Sequence, residues 1–85
     1  MIFYVKFDPI NHLIVDYSNV FDEDKHIFYL SIDINKEYNE ELAYIHQSYR
    51  QGNHYRPAAH SISIKTIKSL LIEKIRNDKL DYLIK

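Results

Sequence analysis

The 85-residue chain has no cysteine, no tryptophan, one glycine and two prolines. Without cysteine there is no disulfide frame, no thiolate metal site and no thiol nucleophile, so the fold must stand on packing alone. A single glycine excludes a glycine-rich phosphate cradle and the GxSxG nucleophile turn. No apolar run approaches the length of a membrane span. The opening segment MIFYVKFDPINHLIV lacks the basic start, apolar core and small-residue cleavage site of a secretory leader. These absences predict a cytoplasmic protein that does not associate with membranes.

What is present, 46% apolar and 27% charged residues, fits one small domain over residues 1–85. A chain this short buries roughly 60–65% of the surface its unfolded form exposes, too little core to enclose a deep substrate cavity. Thirteen Ile, eight Lys against three Arg, six Asn and eight Tyr are the residues that A+T-rich codons favour, which points to a low-G+C bacterium or one of its phages. Charge divides along the chain. Residues 1–45 carry three Lys against nine acids, whereas residues 46–85 carry eight Lys and Arg against three acids. Such a split marks the second half as a surface for an acidic partner or nucleic acid, or else the two halves pair their charges internally.

Ile2–Phe7 and His12–Tyr17 are rich in β-branched and aromatic residues and are separated by Asp8-Pro9-Ile10-Asn11, which predicts a β-hairpin. A three-residue loop closed by a left-handed Asn11 would pair Phe7 with Leu13, Val5 with Val15 and Phe3 with Tyr17, placing six apolar side chains on one face. Ile27–Ile34 alternates Phe28, Leu30, Ile32 and Ile34 with polar neighbours and reads as a third strand completing an antiparallel meander. Tyr4 and Tyr29 fall on the opposite face. From a cap at Asn35, the spacing of Tyr38, Leu42, Ile45 and Tyr49 predicts a helix running toward Gln51 and stopped by Gly52. Asn53–His60 contains Pro57 and no period, and reads as a loop. Ser61–Lys65 reads either as a short fourth strand, which Ile62 and Ile64 favour, or as the opening turn of the last helix. Ile67, Leu70, Leu71 and Ile75 form the apolar stripe of a helix over Ile67–Asn77, capped by Thr66, and Leu80–Lys85 follows as a tail element. The expected class is therefore α+β: a three-stranded antiparallel β-meander followed by two helices, with or without a short fourth strand between them.

The chemically densest stretch is His46–His60 (HQSYRQGNHYRPAAH), with three His, two Arg, two Tyr and no acid. Its histidines lack the spacing that fixes metal ligands on one element, so no metal and no cofactor is expected. The acidic run Asp22-Glu23-Asp24 lacks the glycine and the distal Glu of a calcium loop. No pairing of nucleophile and base or of two carboxylates stands out, which predicts a protein that is not an enzyme. The repeated Tyr-Arg of Tyr49-Arg50 and Tyr55-Arg56 suits a binding surface, since Tyr and Arg dominate the energetic centres of protein interfaces and also stack on bases and grip phosphates. The candidate binding residues are Tyr49, Arg50, His54, Tyr55, Arg56 and His60.

Ser63–Leu71 (SIKTIKSLL) resembles the start of the recognition helix in response-regulator helix-turn-helix domains over nine residues. The chain departs from that pattern at Ile75, one place beyond the family's apolar position, and has no short helix and tight turn before Ser63, which such a domain needs to enter a major groove. The sequence thus predicts a small non-catalytic protein-binding module of inhibitor or adaptor type, phage- or mobile-element-encoded and directed at a larger host or toxin protein. The alternative is a nucleic-acid or nucleotide binder using the basic C-terminal half. A homodimer through an open sheet edge or face is compatible with either.

Overall fold

The computed structural model describes the backbone of residues 1–84 and the side chains of residues 1–79. Its elements are strands β1 (Ile2–Asp8), β2 (Leu13–Ser18), β3 (Leu30–Asp33), β4 (Leu42–His46), β5 (Tyr49–Gln51), β6 (His54–Arg56) and β7 (Ala59–Ser63), then helix α1 (Ile64–Ile84). Among the described residues the architecture is mostly β, seven strands and one helix, which overturns the expected meander followed by two helices.

The first sheet has the order β2-β1-β3, so β1 is central and β3 pairs with it rather than with β2. The β1–β2 link spans four residues, not three. Asp8 ends β1 opposite Leu13, and its carboxylate accepts from the Ile10 and Asn11 amides and from the Asn11 side chain at 2.7 Å. Those bonds, led by the Asn11 side chain, hold the Asp8 carboxyl below its ordinary pKa. His12, at φ 58°, takes the left-handed position expected of Asn11.

A four-residue link alone would turn the apolar face of β2 outward. A register shift on the β2 side between Lys6 and Phe7 restores it. Phe7 then faces Ile14 and Val5 faces Tyr17, while Val15 is the extra residue and points to solvent, 51% exposed. The expected pairing of Phe7 with Leu13 is displaced by the longer link, and those of Val5 with Val15 and Phe3 with Tyr17 by the link and this bulge together.

β3 covers only Ile2–Val5 of β1 and is shorter than expected. Phe28 lies outside it and is 92% exposed. The connector before β3 folds over the outer face of the sheet instead of leaving it wet. Tyr4 packs on Phe21 at 4.9 Å and stacks parallel to His26, and His26 contacts Tyr29 at 4.8 Å. His26 is buried and its Nδ1 accepts from the Asp22 amide at 2.9 Å, which winds this connector around the imidazole. The Tyr29 hydroxyl donates to Asp16 on β2 at 2.8 Å, pinning the far end and lowering the Asp16 pKa.

The segment expected to be a helix toward Gln51 and the loop expected at Asn53–His60 are instead the two arms of one long β-hairpin. β4 pairs with β7 and β5 with β6, and across both ladders the partners' residue numbers keep one constant sum. The Gln47 amide bonds the Ala58 carbonyl between the two ladders, and the Ile64 amide bonds the Glu41 carbonyl at the base, both in that same register. Eleven residues per side, Glu41–Gln51 and His54–Ile64, therefore share one register over roughly 35 Å at the usual strand rise, with the ladder interrupted at 47–48 and 57–58. Gly52 does not end a helix. At φ 63° it occupies the first of the two central hairpin positions, where a type II′ turn needs a residue free of Cβ strain.

Period two also accounts for the burial of the ribbon's base. Ala43, Ile45, His60 and Ile62 face inward as cross-strand pairs, whereas Leu42 and Tyr44 face solvent. α1 begins directly after β7, three residues before the expected start, so Thr66 lies inside the helix and not at its cap. Ile67 and Leu71 are fully buried, and together with Phe3, Val5, Phe7, Ile14, Ile32 and Ala43 they make the core between sheet, ribbon base and helix. The helix continues past Asn77 through Ile84, and on it Asp78 accepts from the Tyr17 hydroxyl at 2.5 Å and pairs with Lys74 one turn earlier at 3.5 Å. The side chains of Leu80, Leu83 and Ile84, expected to repack as a tail, lie outside the described residues, as does Lys85.

Candidate functional site

Beyond Gln47 and Ala58 the ribbon leaves the body. Every residue of β5 and β6 is exposed, and so are Ser48, Pro57 and the turn. Ser48–Pro57 is thus a free two-stranded arm, and it carries five of the six candidate binding residues.

The register arranges them. Tyr49 is paired with Arg56, Arg50 with Tyr55, and Gln51 with His54. Directly opposed residues share a face, with Cβ atoms about 4.5–5.5 Å apart, and successive pairs alternate faces. One face of the arm therefore presents Tyr49, Gln51, His54 and Arg56, and the other presents Arg50 and Tyr55. The Tyr-Arg repeat of the sequence becomes two cross-strand Tyr/Arg pairs, one on each face. Tyr55 is 73% exposed and Tyr49 44%. The Arg50 Nε donates to the Gly52 carbonyl at 3.0 Å, which stiffens the turn and leaves the rest of the guanidinium facing outward. Among the described residues neither arginine has a carboxylate within ion-pair distance.

His60 is separated from this group. It sits at the base of the ribbon, half-buried beside Ile45, and its Nε2 has no hydrogen-bond partner among the described residues. His46 is on the outer face of β4, and no group of three or more potential metal-ligating side chains converges among the described residues. Lys68, counted with the basic C-terminal half, donates to the Lys36 carbonyl at 2.7 Å, and Lys74 is paired with Asp78. Both belong to the body of the molecule, on the helix that starts at the ribbon's base.

A second feature escaped the sequence reading. An open groove of about 660 Å³ lies between β1 and β4, lined by the consecutive residues Val5–Asp8 and Tyr44–Gln47 together with Val15, Phe28 and Leu30. Consecutive residues of a strand line a groove only where its edge is presented, because its faces offer alternate residues. Both edges are open here: β3 stops at Val5, and β4 has β7 on one side only. The missed sequence signal for the ribbon is Gly52-Asn53 between two short runs rich in Tyr, Arg and His, a two-residue hairpin turn.

Among the described residues no helix is long and apolar enough to cross a membrane. No family model matches the chain, and neither a curated protein nor a solved structure matches it.

Proposed function

We propose that the chain is a non-catalytic module of inhibitor or adaptor type that binds a larger protein through the Ser48–Pro57 arm. The observation that carries this reading is the free arm with a Tyr/Arg pair on each face. Tyr and Arg are among the residues that most often supply the energetic centre of a protein interface, and the cross-strand pairing fixes which face of the arm each of them occupies. The outward amides and carbonyls of Arg50 and Tyr55 add strand edges to which a partner's backbone can bond.

A two-stranded ribbon also fits a DNA major groove, so charge decides between the partner classes. Two arginines on the arm are few beside the roughly 6–10 phosphate contacts of a typical strong binder. The helix lysines Lys68 and Lys74 are already engaged within the body. The balance supports protein over nucleic acid.

The test compares the full chain with a variant lacking Ser48–Gln51 and His54–Pro57, both tagged, as baits in lysate of the source organism or its host, with half of each sample treated with nuclease. The reading expects one protein retained in near-stoichiometric amount by the full chain, with or without nuclease, and lost by the shortened one. Heterogeneous material that disappears with nuclease would overturn it in favour of nucleic acid.

A further inference from the structure

The chain also carries a surface complementary to its own arm. The Val20–Phe28 segment exposes Val20 and Ile27 at 67%, Phe21 at 50% and Phe28 at 92%. Between them stand the exposed acids Asp22, Glu23 and Asp24, and the one cation of the segment, Lys25, is committed to Asp16 at 3.5 Å. Single exposed apolar side chains are ordinary, but four within nine residues, interleaved with three carboxylates, leave this segment unusually apolar at its surface for so short a stretch. The arm has the opposite character. It offers two tyrosines and two arginines with no carboxylate partner among the described residues, and no acid occurs in the sequence between Glu41 and Glu73. Among the described residues no hydrogen bond or ion pair joins the two within one molecule.

We propose that the arm of one copy docks on the Val20–Phe28 segment of a second copy, and reciprocally, to form a homodimer by arm exchange. The groove supplies the reach. Its lining includes both Phe28, the end of the acidic segment, and Tyr44–Gln47, from which the arm springs. Donor and acceptor are therefore neighbours on the surface, and a two-fold axis beside the groove carries each arm across its partner's segment, giving an interface that closes on itself. The incoming ribbon meets the open edges of β1 over Lys6–Asp8 and of β4, so its outward backbone groups at Arg50 or Tyr55 find unpaired partners. This inference does not rest on the larger-partner reading. One arm cannot serve both partners at once, so binding of the larger protein would be coupled to dissociation of the dimer.

The test is sedimentation equilibrium of the full chain over a micromolar concentration series. The wild type should show a monomer–dimer equilibrium. R50E/R56E should weaken it at least about tenfold, the scale on which misplaced charge acts across an interface, and so should D22K/E23K/D24K. The chain with all five substitutions, in which both sides are inverted, should recover dimerisation to within about threefold of wild type. A wild type that stays monomeric, a dimer indifferent to either charge set, or five substitutions that fail to restore it in a chain with unchanged circular dichroism would each overturn the proposal. D22K/E23K/D24K leaves the arm intact and should still capture a larger partner, which separates failure of the dimer from failure of the proposed function.

Discussion

Excision of the arm should cost almost nothing in stability. The proposed deletion removes Ser48–Gln51 and His54–Pro57 and joins Gln47-Gly52-Asn53-Ala58. Gln47 and Ala58 are already bonded in the same register as the residues that flank the present turn, so the two-residue turn is regenerated without a slip. Four residues leave each strand, an even number, so every side chain at the ribbon's base keeps its face. All ten residues of the arm are exposed, so the apolar area returned to water is small, and changes at such sites usually stay within about 0.5 kcal/mol. Tyr49, at 44% exposed, is the most sheltered of the arm's aromatics and sets the upper end, about 1 kcal/mol. Urea unfolding followed by far-ultraviolet circular dichroism reads this directly. With a slope near 1 kcal/mol per molar for so small a domain, the midpoint should move by less than about 1 M. A loss of more than about 2 kcal/mol, or a shortened chain that no longer unfolds cooperatively, would refute the claim that the arm is peripheral to the fold.

Leu71→Ala strikes a fully buried side chain and should cost about 2–5 kcal/mol in the same urea assay, several times the effect of removing the whole arm. Gly52→Val places a β-branched residue at φ 63° and should cost about 1–2 kcal/mol through strain alone, since no atom lies within 4 Å of the added Cβ; nuclear magnetic resonance should show the change confined to the arm. Tyr17→Phe removes the hydroxyl bonded to Asp78, a bond that, with burial, pushes the Tyr17 pKa from 10.0 up to about 12. Asp78 is 41% exposed and shared with Lys74, so solvent screening leaves about 1 kcal/mol of the larger value that the full shift would imply. Because the folded-state pKa is raised, the contribution is complete below pH 10 and lost as pH rises toward 12. Wild type and Tyr17→Phe should therefore differ in thermal midpoint by about 4–8 °C at neutral pH and converge in strong alkali.

The sequence made parts of this molecule legible and hid others for identifiable reasons. The apolar stripe of Ile67, Leu70, Leu71 and Ile75 has one period and one interpretation, and it lies inside α1. In β2 the alternation was visible but the face was not, because a bulge at Val15 exchanges the roles of Ile14 and Val15 halfway along the strand. The central segment misled most. Tyr38, Leu42, Ile45 and Tyr49 fall at helical spacing, yet Leu42 and Tyr49 are exposed and only Tyr38 and Ile45 meet the core. The alternation of Ala43 and Ile45 against Leu42 and Tyr44 was equally available there, and pairing with β7, whose partner residues lie 13 to 21 positions further along the chain, selected it. For the candidate site, composition located the dense stretch and five of its six residues do gather on the arm. Their division between two faces depends on the register, and the register depends on reading Gly52-Asn53 as a turn.

A ribbon that keeps one register from base to tip can be lengthened or shortened like a telescoping rod. Each step that adds two residues to both strands extends it by roughly 7 Å, leaves every face pointing as before and asks nothing of the residues that hold the body together. Reach and chemistry at the tip can therefore change independently of the fold, and in a chain of this size that freedom falls to the ten exposed residues of the arm.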